Sequence, residues 1–375
     1  MLVDLNEIQD IYEKEALKAY NRKSNAERSQ DNDERDRANR HEQVFRQAMR
    51  RLNKTNHREN VLKLMRSGRD RLATDGEKWD REPWLLPVRS GVVDLKTGQH
   101  RDGKPEDMIR TASPVTFNGI DEKAPQWEQF VCDVFPNPRV RYYFQRAMGV
   151  ALLGKILEHI LIIWFGIGRN AKSVLGEVLQ HVLGALSWSV QPELLLEQDR
   201  TQSASAPSPE LMALRGRRFV VAQETASARQ FDAAKVKRLT GGDAIAARAP
   251  YGRRVINFFP QHTLVLLTNF LPFLDPEDEA LKSRIHVVPF NTRFVDEPTE
   301  DNEKLRDPQI AERLKEEAPG ILAWLVRGCL EYQRQGLNPP KEVLASSWYS
   351  SPESTAADIE EFIEECCSHD PQQDC

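Results

Sequence analysis

Lys172 and Ser173 are the residues from which chemistry can be read first. They follow Gly166 and Gly168 in the stretch ILIIWFGIGRNAKSVL, residues 160–175. An ammonium beside a hydroxyl, directly after a glycine loop, suits a polyphosphate carrying a magnesium ion. Glycines let backbone N–H groups turn toward an anion, and a helix N-terminus adds partial positive charge. The Lys then reaches the outer phosphates and the Ser ligates Mg²⁺. Gly166, Gly168, Asn170, Ala171, Lys172 and Ser173 are therefore the candidate phosphate cradle. One position departs from the usual G-x-x-x-x-G-K-[ST] spacing, because Ala171 stands where the second glycine belongs.

Four later groups could act with the cradle. FVVA (219–222) reads as a buried strand and ends in Gln223 and Glu224. A carboxylate at such a strand end can hold Mg²⁺ through water and polarise an attacking water. Alone, it is as readily an ordinary strand-end Glu. Thr263–Leu267 runs into Thr268 and Asn269, and a strand-end amide can contact a γ-phosphate or position its water. Without context such an Asn is a turn residue. Arg284 precedes the apolar run IHVV (285–288) and could reach a neighbouring subunit's nucleotide; alone it reads as a surface or ion-pair residue. Lys237, Arg248, Tyr251, Arg253 and Arg254 surround glycine turns at Gly241–Gly242 and Gly252. They describe a basic hairpin whose arginines could bind phosphates and whose Tyr could stack on a base. The bland alternative is a basic surface hairpin.

The elements that must position these groups alternate. Strand candidates are Ile160–Phe165, Phe219–Ala222, Thr263–Leu267 and Ile285–Val288, separated by helical patterns. That alternation argues an α/β fold with a largely parallel sheet. Two helices precede it between Trp127 and Leu153, divided at Pro136 and Pro138, and helices follow over Ile310–Leu314 and Ile321–Leu330. Val92 and Val93 form a short strand, with a hairpin turn at Lys96–Gly98. Residues 1 to about 80 carry both signs of charge densely, with Val44, Phe45, Met49, Leu52, Val61, Leu62 and Leu64 at roughly helical spacing. They read as solvated helices with a loose segment around Ser24 to Asp36; a DNA-facing collar is the sharper reading. The chain divides by texture at 1–80, 81–125, 126–300 and 301–375, the last ending in an acidic helix with Ile359, Phe362 and Ile363.

Composition narrows the class. Hydrophobic residues at 40% with 29% charged residues suit a globular chain, and no apolar run reaches the ~20 residues of a membrane helix. The N-terminal MLVDLNEIQD shows no basic segment followed by an apolar one, so no secretory signal is read. Five cysteines without a C-x-x-C pair fit a reducing, cytoplasmic compartment. Cys366, Cys367, His369 and Cys375 match no standard zinc spacing. A net charge of −5 excludes a global basic field, so nucleic-acid binding would need a local patch or channel.

Taken in order, these segments resemble the superfamily III helicases of the phage and plasmid primase-helicase type, related to the poxvirus primase-helicase. The matching residues are SGVVDLKTG (90–98), the cradle 166–173 as Walker A, and FVVAQET (219–225) as Walker B. KRLTGGDAIAAR (237–248) with Tyr251 matches the B′ element, LLTNFLP (266–272) motif C, and ALKSRIHVVPF (280–290) the family's arginine. The resemblance covers roughly residues 80 to 365. It implies an AAA+-like ATPase core that uses ATP and Mg²⁺ in a homo-hexameric ring on single-stranded DNA, working beside a primase or polymerase and away from membranes. It further implies that Lys172 and Ser173 bind phosphate and Mg²⁺, Glu224 supports the metal and the water, and Asn269 is the sensor. Arg284 becomes the finger acting on the neighbouring subunit, and the B′ hairpin grips DNA.

Ala171 departs from the pattern, and so does Ala226, which stands where a second acidic residue often follows the Walker B Glu. Both bear on turnover more than on fold. Primase and winged-helix domains, common in the family, have no room in 375 residues, so the chain reads as a fragment or a minimal version. Three functions compete: an ATP-driven DNA helicase or translocase, a nucleotide-gated replication initiator with weak turnover, and a small-molecule P-loop phosphotransferase. The last leaves the basic hairpin and Asn269 without a role.

Overall fold

The computed structural model describes residues 5–52, 79–197, 208–224, 229–248, 255–275 and 277–349, with a few positions between 54 and 63. Val61, Leu62, Leu64, Ala226, Tyr251 to Arg254 and the cysteine-bearing tail lie outside the described residues. Contacts divide the chain into Met1–Lys78 and Trp79–Cys375.

The first unit contains two helices, α1 (Leu5–Arg28) and α2 (Asn32–Leu52). They run antiparallel, since Tyr12 meets Phe45 with ring centroids 6.1 Å apart and Lys23 donates to Asn39 Oδ1 at 3.2 Å. Buried Ala16, Ala19, Ala26 and Ala38 let the two backbones approach. The loose segment expected around Ser24 to Asp36 is instead mostly helix. Asp31 Oδ1 accepts from Glu34 N at 3.0 Å, satisfying one of the free N–H groups at the start of α2 and confining the break to a tight turn.

The second unit begins with an antiparallel meander of β1 (Leu85–Val88), β2 (Gly91–Asp94) and β3 (Gln99–Arg101), with the turn at Lys96–Gly98 where the sequence places it. Then come α3 (Pro125–Val134) and α4 (Pro138–Val150), each with Pro in its first turn, where a missing N–H costs nothing. The Glu317 carboxylate accepts from Gln126 N and Trp127 N at 3.1 and 2.9 Å, so an acid 190 residues away closes the start of α3.

The central sheet holds β4 (Leu161–Phe165), β5 (Ser187–Val190), β6 (Phe219–Glu224), β9 (Thr263–Thr268) and β10 (Ile285–Pro289). Their order is β10-β4-β9-β6-β5, and every pair is parallel. Along β4, Leu161 and Ile163 join one apolar cluster while Ile162 and Trp164 join another. Burial on both faces explains why these strands read as unbroken apolar runs rather than alternating ones.

Helices cover the sheet. α5 (Lys172–Leu183) follows β4, α6 (Pro209–Ala213) precedes β6, and α7 (Ala233–Thr240) follows it. A small antiparallel pair, β7 (Ile245–Ala247) and β8 (Ile256–Phe258), precedes β9. α8 (Glu279–Lys282) leads into β10, and β11 (Arg293–Val295) pairs in parallel with β12 (Glu303–Leu305). The described chain then forms α9 (Ile310–Glu316) and α10 (Ala318–Gln335). α10 crosses α4 so closely that a Cβ on Gly149 would lie 2.2 Å from Cys329 N. Trp127 and Trp324 meet edge-on at 5.4 Å, and Phe144 lies 5.5 Å from Trp164 on the sheet. One apolar core thus joins Leu86 and Val93 of the meander to these helices and the sheet. The result is an α/β fold with a parallel central sheet and helical flanks, consistent with an AAA+-like core. Among the described residues no helix is long and apolar enough to cross a membrane.

Candidate active site

Three of the sequence-predicted groups meet at the carboxyl edge of the sheet. Phe165 pairs with Thr268, and Thr268 pairs with Glu224, so the ends of β4, β9 and β6 lie side by side. At about 4.8 Å per strand, the Glu224 backbone stands roughly 10 Å from the start of the glycine loop. This is the edge where parallel sheets bind ligands.

Residues 166–171 leave β4 as a pinned loop. Gly166 N donates to Thr268 O at 3.3 Å, Asn170 Nδ2 to Phe290 O at 3.2 Å, and Phe294 N to Arg169 O at 2.7 Å. A Cβ on Gly166 would lie 1.9 Å from Asn170 Nδ2 and 2.7 Å from Phe290 O, so only glycine fits there. Gly168, with φ +113°, has open space around it at the crest.

Ala171 keeps the backbone conformation that glycine would supply. Its φ is 65° and ψ 4°, the left-handed region, and it caps α5 without a side-chain hydrogen bond. A side chain there costs about 1–2 kcal/mol. Ala171→Gly is therefore expected to stabilise the protein by about 1 kcal/mol, less the glycine's extra unfolded-state entropy. A urea melt reads this; unchanged stability would mean that packing of the Ala171 methyl on its partly buried wall offsets the strain.

Lys172 opens α5 and is only 7% exposed. Its Nζ donates to Gly166 O, to Asn170 Oδ1 at 3.1 Å and to Asn269 Oδ1 at 2.9 Å. Burial pushes its pKa down to about 8. Thr268, beneath it, is buried and bonds Phe270 N and O through its hydroxyl, which fixes the turn carrying Asn269. Ser173 is exposed at the second helical position. Phe290 and Thr268 thus position the loop, roles that no sequence pattern disclosed beyond their place in the quoted motifs. Among the described residues no group of three His, Cys, Asp or Glu side chains could hold a metal.

Arg284 lies elsewhere. It precedes β10, and its carbonyl accepts from Leu161 N at the opposite edge of the sheet. A five-residue strand separates it from the loop, about 16 Å. Its Nη1 donates to Thr240 Oγ1 at 3.1 Å. The basic segment is a hairpin at its base, Ile245 pairing with Phe258 and Ala247 with Ile256. Tyr251, Arg253 and Arg254 lie outside the described residues. Arg248 exchanges backbone bonds with Ser208, its N–H reaching Oγ at 3.3 Å. Lys237 is bound to both Asp278 oxygens at 2.9 and 2.8 Å, so its ammonium is committed within the chain.

Residues 5–136 match the family described as D5 N terminal like. The chain is 30% identical over 278 residues to "Putative helicase L207/L206" of Acanthamoeba polyphaga mimivirus, covering 70% of this chain and 28% of that protein. It is 24% identical over 370 residues to "Putative helicase 022R" of Frog virus 3, covering 79% and 38%. "Putative helicase 184R" of Invertebrate iridescent virus 6 is 31% identical over 245 residues, covering 63% and 25%. The chain thus spans well under half the length of these relatives. Among solved structures, the NrS-1 C terminal region (305-718) aligns over 84% of this chain and 74% of that one, at 11% identity and a TM-score of 0.49, too slight a likeness to argue from. The ordered motifs and the viral relatives make the chain similar to the superfamily III-like primase-helicases of viral type.

Proposed function

We propose that this chain is the ATP-hydrolysing motor of a DNA helicase or translocase that serves replication of a virus, phage, plasmid or other mobile element. The observation that carries this reading is the 2.9 Å bond from Lys172 Nζ to Asn269 Oδ1. It puts the cradle's cation and the strand-end amide at one point, where a γ-phosphate would take the place of their mutual contact. Backbone N–H groups of the loop and the α5 N-terminus would hold the other phosphates. Ser173 and, through water, Glu224 would hold Mg²⁺, which neutralises charge developing on the phosphates. Glu224 and Asn269 would orient the attacking water.

Arg284 cannot serve the cradle of its own chain from the opposite sheet edge. It therefore fits a homo-hexameric ring in which each subunit completes its neighbour's site. The hairpin between β7 and β8 would carry Arg248, Tyr251, Arg253 and Arg254 to single-stranded DNA. Lys237 would contribute only by exchanging Asp278 for phosphate. A primase or polymerase partner fits the same role in replication. DNA-stimulated ATPase and strand displacement by the unmodified protein test the reading. Hydrolysis indifferent to DNA, with no movement along it, would sink the helicase assignment.

A nucleotide-gated initiator with weak turnover is the second reading, and strain at Ala171 is what favours it. A large rise in ATPase rate in Ala171→Gly would support it; equal rates would show that the Ala leaves catalysis unaffected.

Lys172 also sets a pH dependence. The triphosphate selects the charged amine, so binding raises the lysine's pKa and takes up a proton wherever the free amine is neutral. Affinity should be level below about pH 8 and fall above it, by about ten-fold between pH 7 and pH 9. Isothermal titration in buffers of differing ionisation enthalpy reads both the fall and the proton uptake. Affinity constant across that range would mean that Lys172 is fully charged in the free protein.

A further inference from the structure

A cavity of 820 Å³ opens directly beside the phosphate cradle. Arg169, Ala171 and Val174 of the loop and α5 form one wall. The wall is continuous with the loop, since Phe294 N, across the cavity, donates to Arg169 O at 2.7 Å. A triphosphate seated in the cradle would project its nucleoside here, and the volume falls in the range of ligand pockets. Phe130 and Phe294 line it with ring centroids 5.8 Å apart and planes at 39°. Leu305, 68% exposed, adds apolar surface with nothing covering it among the described residues. Flat apolar walls of this kind suit a base.

The polar lining is uneven. The rim cations Arg306 and Arg313 are engaged, the first 3.9 Å from Asp296 and the second bonded to Asp307. Asp133, on α3, is different. Its Oδ1 accepts from Gln129 Nε2 at 3.2 Å and lies 4.0 Å from Lys304 Nζ. No donor among the described residues reaches its Oδ2. Gln129, one helical turn earlier on the same face, therefore fixes the carboxylate while leaving one oxygen as an acceptor at the cavity wall.

We infer that Asp133 is the base-reading residue of this cavity, accepting a hydrogen bond from an exocyclic amine, so that the site selects aminopurine nucleoside triphosphates. The inference rests on the nucleotide reading above. Stacking on Phe294, whose ring packs on the buried Phe130, favours the larger purine ring, and the free carboxylate oxygen favours a base with an amine over one without. A carbonyl at the same place would face an acceptor with an acceptor, leaving both without a donor.

The test compares ATP, purine riboside triphosphate, which lacks only the amine, and inorganic tripolyphosphate, by competition binding to the whole chain. Wild type should prefer ATP to the purine analogue by about ten-fold. Asp133→Leu should bring that ratio near one while leaving tripolyphosphate affinity unchanged, which also shows that the cradle is folded. Phe294→Ala should weaken both nucleotides alike and spare tripolyphosphate. Equal wild-type affinity for the two nucleotides would overturn the inference, as would a preference that survives Asp133→Leu. So would tripolyphosphate binding as tightly as ATP, because the cavity would then contribute nothing. Failure of all three probes to bind would overturn the nucleotide reading itself, and this inference with it.

Discussion

Lys172→Ala should lower the rate of ATP hydrolysis by at least about 10²–10³-fold, without a matching loss of stability. The two halves of this expectation have different causes. The catalytic half follows from where Nζ sits, joined to the Gly166 carbonyl and to Asn170 and Asn269. No other cation among the described residues is shown at that point, so charge developing on a transferred phosphoryl group would lose its stabilisation. The stability half follows from burial. Desolvation pushes the amine's pKa down to about 8, so the fold tolerates its charge rather than depending on it. Its removal frees two side-chain amides that can turn toward each other or toward water, and the net change should stay within about 1 kcal/mol. ATPase assays and a thermal melt on one preparation read both. A variant that hydrolyses ATP normally removes the site from consideration. One that unfolds shows that Lys172 is a structural tether between β4 and β9.

How much of this was legible beforehand depends on range along the chain. The four apolar runs were plain because strands buried on both faces carry no polar interruptions, and each is a strand to within two residues. Their parallel pairing followed from alternation with helices. Their order did not. That β9 lies between β4 and β6 is a fact of topology, and it alone brings Asn269 to Lys172 across 97 residues. The sequence shows a missing glycine at Ala171. Only the backbone shows that the left-handed turn is kept and the strain accepted.

Charge was the least legible property. A basic side chain reads the same whether it faces DNA or a carboxylate from a distant loop. Lys237 meets Asp278, 41 residues on, which no local pattern discloses. Asp133 had no signal at all, being one acid on an amphipathic helix until the cavity beside it is seen. The segment from Ser24 to Asp36 shows the opposite error. Its polar composition suggested loose chain, yet polar residues are common in exposed helices, and Asp31 needs only one backbone N–H to start the next.

Arg284→Ala should abolish hydrolysis, by about 10³-fold or more for an arginine acting on the transferred phosphate, while ATP affinity changes little. In its own chain the guanidinium lies at the sheet edge opposite the cradle and holds Thr240 Oγ1 at 3.1 Å. Its loss there removes one hydrogen bond, worth about 1–3 kcal/mol at most, and disturbs no cradle residue. Thr240→Val is the matching control, since it deletes that bond and keeps the guanidinium. Thr240→Val should hydrolyse ATP at close to the normal rate; a loss equal to that of Arg284→Ala would make Arg284 a structural residue. The decisive experiment mixes two inactive proteins. Arg284→Ala subunits keep an intact Lys172, and Lys172→Ala subunits keep an intact arginine. In a shared ring, a site between an Arg284→Ala cradle and a Lys172→Ala neighbour is complete. Mixing should therefore restore hydrolysis that neither variant shows alone, most strongly near equal proportions. Two variants that stay inactive at every ratio, while still assembling together, would mean that the arginine serves its own chain and that the shared-site reading is wrong.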